Sequence, residues 1–265
     1  MKKIKIHTPD TFSKLMAIVE KYQNSHDITW FRGAGSPTHA LRPGLFRHRT
    51  VAGPEALNVL ERDISLSFSQ KSPPFVSQSF RNDWEKMFFM QHYGIPTRLL
   101  DWSESPLVAA YFALTNCRRD TSGAPLEIVS VWLLDPVKWN QSALADISYT
   151  GGVLDPEREQ AKGYSPSVDL AERKNLPVMI YGTHNSARIV AQRGMFALFG
   201  KSTDPMEAAY LAGSGFMAGT LERIDIPVAA IDNITKSLFR NGVADSTVFP
   251  DISGLALEIR RIYGF

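Results

Sequence analysis

Helical and strand-like periodicities are unevenly divided along this chain, and they do not alternate. Apolar residues at helical spacing mark a first helix over Pro9–Tyr22, with Phe12, Leu15, Met16, Val19 and Tyr22 on one face. Thr8 is placed to cap it, Pro9 suits its first position, and Asp10 favours the positive end of the dipole. Further helices are predicted over Pro54–Ser69, over Asn82–Tyr93 with Gly94 as its stop, and from Ser105-Pro106 through Leu114. Ile28–Phe31 is the single strand expected among them. β-branched and aromatic runs then dominate: Glu127–Leu134, Pro177–Tyr181, Arg188–Ala191, Met195–Phe199 and Leu221–Ile226 read as strands. Helices over Pro227–Arg240 and near Ile252–Ile262 complete the pattern. Helix and strand do not alternate, which disfavours a doubly wound parallel sheet and predicts an α+β fold. A mixed or antiparallel sheet with an N-terminal helical portion is expected.

The 265 residues are 44% hydrophobic, enough for one large core, and no repeat or low-complexity linker divides them. A single domain over 1–265 is expected. Tyr149–Leu176 has little apolar periodicity and is read as a long loop or insertion, and as a candidate cover for the site. A net charge of +2 is too small to imply a nucleic-acid partner without a local patch. The one cysteine, Cys117, excludes an internal disulfide framework and fits a reducing compartment. No metal-binding pattern is present, so no metal is expected. Met1–His7 is basic but has no apolar run behind it, and no stretch approaches the ~20 apolar residues of a membrane helix. The expectation is a cytoplasmic protein that does not engage a membrane.

Three segments concentrate polar chemistry. Trp30-Phe31-Arg32-Gly33 reads as a strand ending in a cation, with a glycine that lets a ligand approach the backbone. Gln91–Trp102 packs seven hydrogen-bonding or ionisable side chains into twelve residues around a Gly94–Pro96 turn. Such density is costly in a core and suits a binding site. Arg188–Phe196 sets polar residues within strand-like sequence. Arg42, Arg47, His48 and Arg49 form a basic cluster that would steer a phosphate or RNA, or is simply a solvated loop.

These motifs resemble the FRG domain family, which is named for Phe31-Arg32-Gly33. The resemblance continues through Leu41–Arg47, Gln91–Trp102, Ser105–Ala113, Ala191–Phe196 and Val248–Asp251. It spans about Trp30 to Leu255 and implies one FRG domain with a core of about 30–255. A weaker resemblance links the pattern to ADP-ribosyltransferases, which open on an aromatic-Arg/His-Gly strand that grips NAD and place a Glu or Gln on a late strand. Arg32 matches the first element and Gln192 stands at the last. No Ser-Thr-Ser middle motif and no late Glu are found.

What the two resemblances together imply is an NAD-dependent ADP-ribosyltransferase-like effector, of the phage-defence or toxin type that suits the FRG family, acting on a protein or nucleic-acid target such as RNA, with an antitoxin as its expected partner. Arg32, His92 and Gln192 are then the catalytic candidates. Arg32, Gly33, Gln91, Thr97, Arg98 and Asp101 are the candidates for binding NAD, with Arg32 and Arg98 on the pyrophosphate. An amide is no strong base, so Gln192 would position the ribose. Each residue also has a plainer reading. Arg32 or Arg98 can pair with Asp101 in a structural salt bridge, and His92 can close a helix C-terminus. Gln91 and Thr97 can satisfy turn backbone, and Trp102 can belong to the core. The alternative function is a non-catalytic module that binds a nucleotide or peptide.

Overall fold

The computed structural model describes residues 2–76, 79–182, 186–213 and 215–265. Strand β1 (Lys5–His7) precedes helix α1 (Phe12–Gln23). The helix starts three residues later than the sequence suggests. Thr11, not Thr8, accepts the amide hydrogen of Lys14, while Asp10 pairs with Lys14 outside the first turn. Strand β2 (Trp30–Ala34) follows, extending two residues beyond the expected Arg32 terminus because it pairs with a partner along its whole length. A 3-10 turn at Leu45–Arg47 leads to α2 (Pro54–Lys71) and α3 (Asp83–His92). Asn82 caps α3 by accepting from the Glu85 amide, and Gly94, at φ 76°, ends it in the left-handed region where only glycine is unstrained. Then come β3 (Leu99–Ser103), α4 (Pro106–Thr115) capped by Ser105, β4 (Val129–Leu134), α5 (Pro136–Ala143) and the short α6 (Glu159–Lys162).

The remainder is β5 (Val178–Ile180), α7 (Ala187–Gln192), β6 (Gly194–Leu198), α8 (Met206–Ala212), β7 (Leu221–Ile226), α9 (Val228–Arg240), α10 (Asp245–Val248) and α11 (Ile252–Tyr263). The expected strand over Arg188–Ala191 is therefore a helix. Ser186 caps it by accepting from the Ile189 amide, and Arg193, at φ 46°, turns the chain through a left-handed residue straight into β6. The β preference of Ile189 and Val190 lost to a local cap and a turn that the composition of the run does not reveal.

The fold class matches the expectation: helices and one mixed seven-stranded sheet, without regular alternation. The strand order is β1-β7-β4-β2-β3-β6-β5, with β1 parallel to β7 and the other pairs antiparallel. Period-two alternation divides the core between the two faces. Phe31, Val131, Leu133, Ile224 and Ile226 point into a cluster with α1, α4 and α9. Trp30, Trp132, Leu134, Leu100 and Trp102 point the other way. A third cluster joins Met87 and Phe88 of α3 to Leu99, Phe196 and Leu198. Phe31 lies directly opposite Ser103, and Leu99 alternates onto the side of Ser103. The first and third clusters thus share one sheet face, with a gap between α4 and α3 over the junction of β2 and β3.

Residues 149–176 are irregular apart from α6, and they do not border the gap over β2 and β3. Leu154, Ala161 and Tyr164 bury themselves in the third cluster. Among the described residues, no helix is long and apolar enough to cross a membrane.

Candidate functional site

Strands β2 and β3 touch at one residue pair, Phe31 and Ser103, and part on the Arg32 side. A cleft of about 770 Å³ opens there, between the last turn of α3, the Val108–Phe112 side of α4, and α7. That volume is in the range of small-molecule sites. A second hollow of about 700 Å³ lies between α2 and α3, but its one cation, Lys86, is already paired with Asp83 at 3.0 Å. The β2–β3 cleft is where charged groups converge.

Arg32 is half-buried and sits in the central strand rather than at a sheet end, opposite Trp132. Its guanidinium crosses the gap and donates to the backbone carbonyl of Asp101. Burial lowers its pKa, the Asp101 carboxylate opposes that, and Arg47 adds to it. The group stays cationic, because arginine starts so high. The Asp101 carboxylate is held by Gln91, whose Nε2 lies 2.9 Å from each oxygen. Gln91 is oriented in turn by Thr97, whose buried hydroxyl donates to Oε1 at 2.6 Å and accepts from the Leu99 amide at 3.0 Å. The Gly94–Pro96 turn therefore folds Thr97 back onto the last turn of α3 and builds a Thr97–Gln91–Asp101 relay.

His92 follows Gln91 on the cleft wall, with its Nδ1 3.3 Å from the Ser186 hydroxyl. Desolvation, and then the nearby Arg188 cation, hold its pKa below the usual histidine value. The ring is therefore neutral at neutral pH. Gln192 occupies the last turn of α7, not a strand. Its Nε2 donates to the Val248 carbonyl at 3.1 Å, and its own carbonyl accepts from the Ser103 hydroxyl at 2.7 Å.

One sequence-based candidate takes another place, and a second is explained by packing. Arg98 does not reach the cleft and does not pair with Asp101. It is fully buried on the far side of β3, 2.6 Å from Glu61, and also donates to the carbonyls of Tyr164 and Phe199. Those partners engage all three guanidinium nitrogens, and the side chain is fully buried away from the cleft. Gly33 borders the cleft, but packing demands the glycine. A Cβ there would stand 2.0 Å from the Ala109 carbonyl oxygen and 2.5 Å from the Ala113 nitrogen. The absent side chain lets α4 lie against β2.

Four lining residues were not singled out as site residues by sequence. Arg47 comes from the basic cluster; Leu45 donates its amide to the Thr97 carbonyl at 3.2 Å and brings that turn to the rim. Arg188 lies with its guanidinium 4.6 Å from the centre of the Phe249 ring. Asp251 caps α11, accepting from the Gly254 amide at 2.8 Å, and lines the cleft as well. Tyr93 stands exposed at the mouth, its ring 4.6 Å from that of Phe89. The signal for Arg188 and Asp251 is present in the Arg188–Phe196 and Val248–Asp251 motifs, but the composition of Arg188–Ala191 points to a strand. Trp102 is buried in the core. Three guanidiniums (Arg32, Arg47, Arg188) thus face two carboxylates (Asp101, Asp251) around an aromatic rim, an arrangement suited to an anionic ligand with a flat ring. Among the described residues, no group of three or more His, Cys, Asp or Glu side chains gathers to hold a metal ion.

A family model described as the FRG domain matches residues 27–122. The match takes in Phe31–Gly33, Leu41–Arg47, Gln91–Trp102 and Ser105–Ala113, and ends before the motifs around Gln192 and Asp251. Neither the curated proteins nor the solved structures compared with the chain include a match.

Proposed function

We propose that the FRG domain carried by this chain binds NAD in the β2–β3 cleft and transfers its ADP-ribosyl group to a protein or RNA acceptor, as an effector of the phage-defence or toxin type. The observation that carries this reading is the parting of β2 and β3 around Arg32, which opens a cleft of about 770 Å³ with three guanidiniums on its wall. Arg32 and Arg47 are suited to the pyrophosphate, since planar guanidiniums bind phosphate oxygens in pairs. Tyr93 offers a ring face at the mouth. The amide oxygen of Gln192 can accept from a ribose hydroxyl. In the reaction, the bond between ribose C1′ and the nicotinamide nitrogen breaks and its electron pair neutralises the ring's positive charge. The acceptor's nucleophile bonds to C1′ and its proton passes to a carboxylate, for which Asp251 is the lining group. Preorganised charge matters more here than a strong nucleophile, because the leaving group departs as a neutral molecule.

Nicotinamide release from NAD by the purified protein, with cell lysate supplying acceptor, tests this directly. Wild type is expected to release it, and Arg32→Ala is expected to lose at least ~100-fold, the usual scale for removing one electrostatic stabiliser. Equal release by the two, or none from a folded wild type, would refute the reading. One observation favours a second account, a non-catalytic nucleotide-binding module. The Gln192 amide is committed to Val248 and the Asp101 carboxylate to Gln91, so both are held as a binding wall. A rise in melting temperature with NAD, without turnover, is the outcome that account requires.

A further inference from the structure

The last helix, α11, turns its apolar side away from the protein that carries it. It is fastened to the body along one line. At Gly254 a Cβ would stand 2.0 Å from the Phe249 carbonyl oxygen, Glu258 accepts from the Ser246 amide at 3.0 Å, and Arg261 reaches Asp245 with its Nε at 2.8 Å while covering the Phe239 ring. Those residues, at four- and three-residue spacing, define the docked side. Ile252, Leu255, Ile259 and Ile262 repeat a three-four-three spacing on another side, with Tyr263 beside them, and each of the five is between 43% and 79% exposed. Amphipathic helices ordinarily bury such a stripe. Gly254 is the one buried residue of this helix.

We propose that this stripe is the contact between two copies of the chain, which pair through α11 in antiparallel fashion about a two-fold axis. The spacing is that of a helix-pairing seam. Run antiparallel and centred between Leu255 and Ile259, it sets Ile252 against the other copy's Ile262 and Leu255 against the other copy's Ile259. The seam is thus self-complementary, as a two-fold contact must be. No charged residue lies on the stripe to oppose a like residue. A standard interface covers about 800 Å² per partner, and five large apolar side chains exposed to this degree supply area of that order. A lipid surface fits less well. Interfacial helices present a cationic face, and here Arg261 is tied to Asp245, leaving Arg260 as the exposed cation of the helix. The pairing does not depend on the chemistry proposed for the cleft.

Sedimentation equilibrium of the whole chain, from low to high micromolar concentration, tests the proposal. Wild type is expected at twice the 29.5 kDa of one chain. Ile259→Lys and, separately, Ile262→Lys should be monomers with unchanged far-ultraviolet circular dichroism. Leu257→Lys, exposed on the same helix but off the stripe, should remain a dimer. A wild type that stays monomeric, a dimeric Ile259→Lys, or loss of the dimer in Leu257→Lys would overturn the assignment. A monomeric wild type that co-sediments with phosphatidylglycerol vesicles would overturn it in favour of a lipid surface.

Discussion

His92 and Arg188 show how single residues of the cleft tune one another. Desolvation disfavours the imidazolium and the neighbouring guanidinium disfavours it further, so His92 holds its proton less firmly in the folded chain than in the unfolded one. The sign of the linkage follows. As pH falls from neutral, the unfolded chain takes up the His92 proton first, so the stability contributed by the neutral ring is complete above the ordinary histidine pKa of about 6.5 and is lost as pH falls through and below it. Arg188→Gln removes the Coulombic part and leaves the desolvation. Followed by its Cε1 proton signal, the His92 titration should lie below the ordinary value in the wild type and move upward in Arg188→Gln. An unmoved titration would mean that the two side chains do not face each other across the cleft. Arg32 resists such tuning, since a guanidinium lowered by burial and by Arg47 is still charged at any pH the fold tolerates. The fixed charge therefore belongs to Arg32 and the adjustable proton to His92.

At the scale of elements, the cleft exists because α4 lies close enough to β2 to leave room beside it. Gly33 permits the approach, and Ala109 and Ala113 supply the small surface it meets. Gly33→Ala should destabilise the protein by more than about 3 kcal/mol in urea unfolding, at or beyond the usual upper range for overpacking, because the new carbon meets helix backbone that cannot rotate aside. A cost below about 1 kcal/mol would show that α4 shifts freely. The same glycine marks where sequence reasoning ran out. The Phe-Arg-Gly motif announced a special backbone position but not whether a ligand or a helix required it, because local sequence carries no record of what packs above a strand. α3 and its Gly94 stop were legible, since cap, stripe and terminator sit in one stretch. The helical state of α7 was hidden because Ile189 and Val190 are β-prone, and the decision fell to the Ser186 cap and the left-handed Arg193. Strand β3 went unread because Leu99–Ser103 is short and its pairing partners lie far along the chain. Arg98 looked like a ligand cation because its neighbours in sequence, Pro96, Leu99 and Asp101, line the cleft, whereas its neighbours in space are Glu61 and Tyr164.

Across the whole molecule, that misplaced arginine explains how a long irregular segment stays attached. Glu61 of α2 lies between Arg98, which precedes β3, and Arg173 of the 149–176 segment, at 2.6 and 3.1 Å. Both guanidiniums are nearly or wholly buried, and burial together with Arg98 lowers the pKa of Arg173 while Glu61 opposes the shift. One carboxylate thus holds two cations, and the two substitutions should differ. Glu61→Gln strands both guanidiniums without a counter-charge, at a cost of about 3–5 kcal/mol, the range for breaking a buried ion pair from one side. Arg98→Gln leaves Arg173 and Glu61 as a matched pair and should cost less. Urea unfolding gives the two values, and limited proteolysis should cut first within 149–176 in the Glu61 variant, the segment that Arg173 no longer fastens. Neither change touches a group that lines the β2–β3 cleft, so nicotinamide release per folded molecule should stay near the wild-type rate in both. A larger loss of stability in Arg98→Gln than in Glu61→Gln would show that the carbonyls of Tyr164 and Phe199, rather than the shared carboxylate, are what the arginine is there to satisfy.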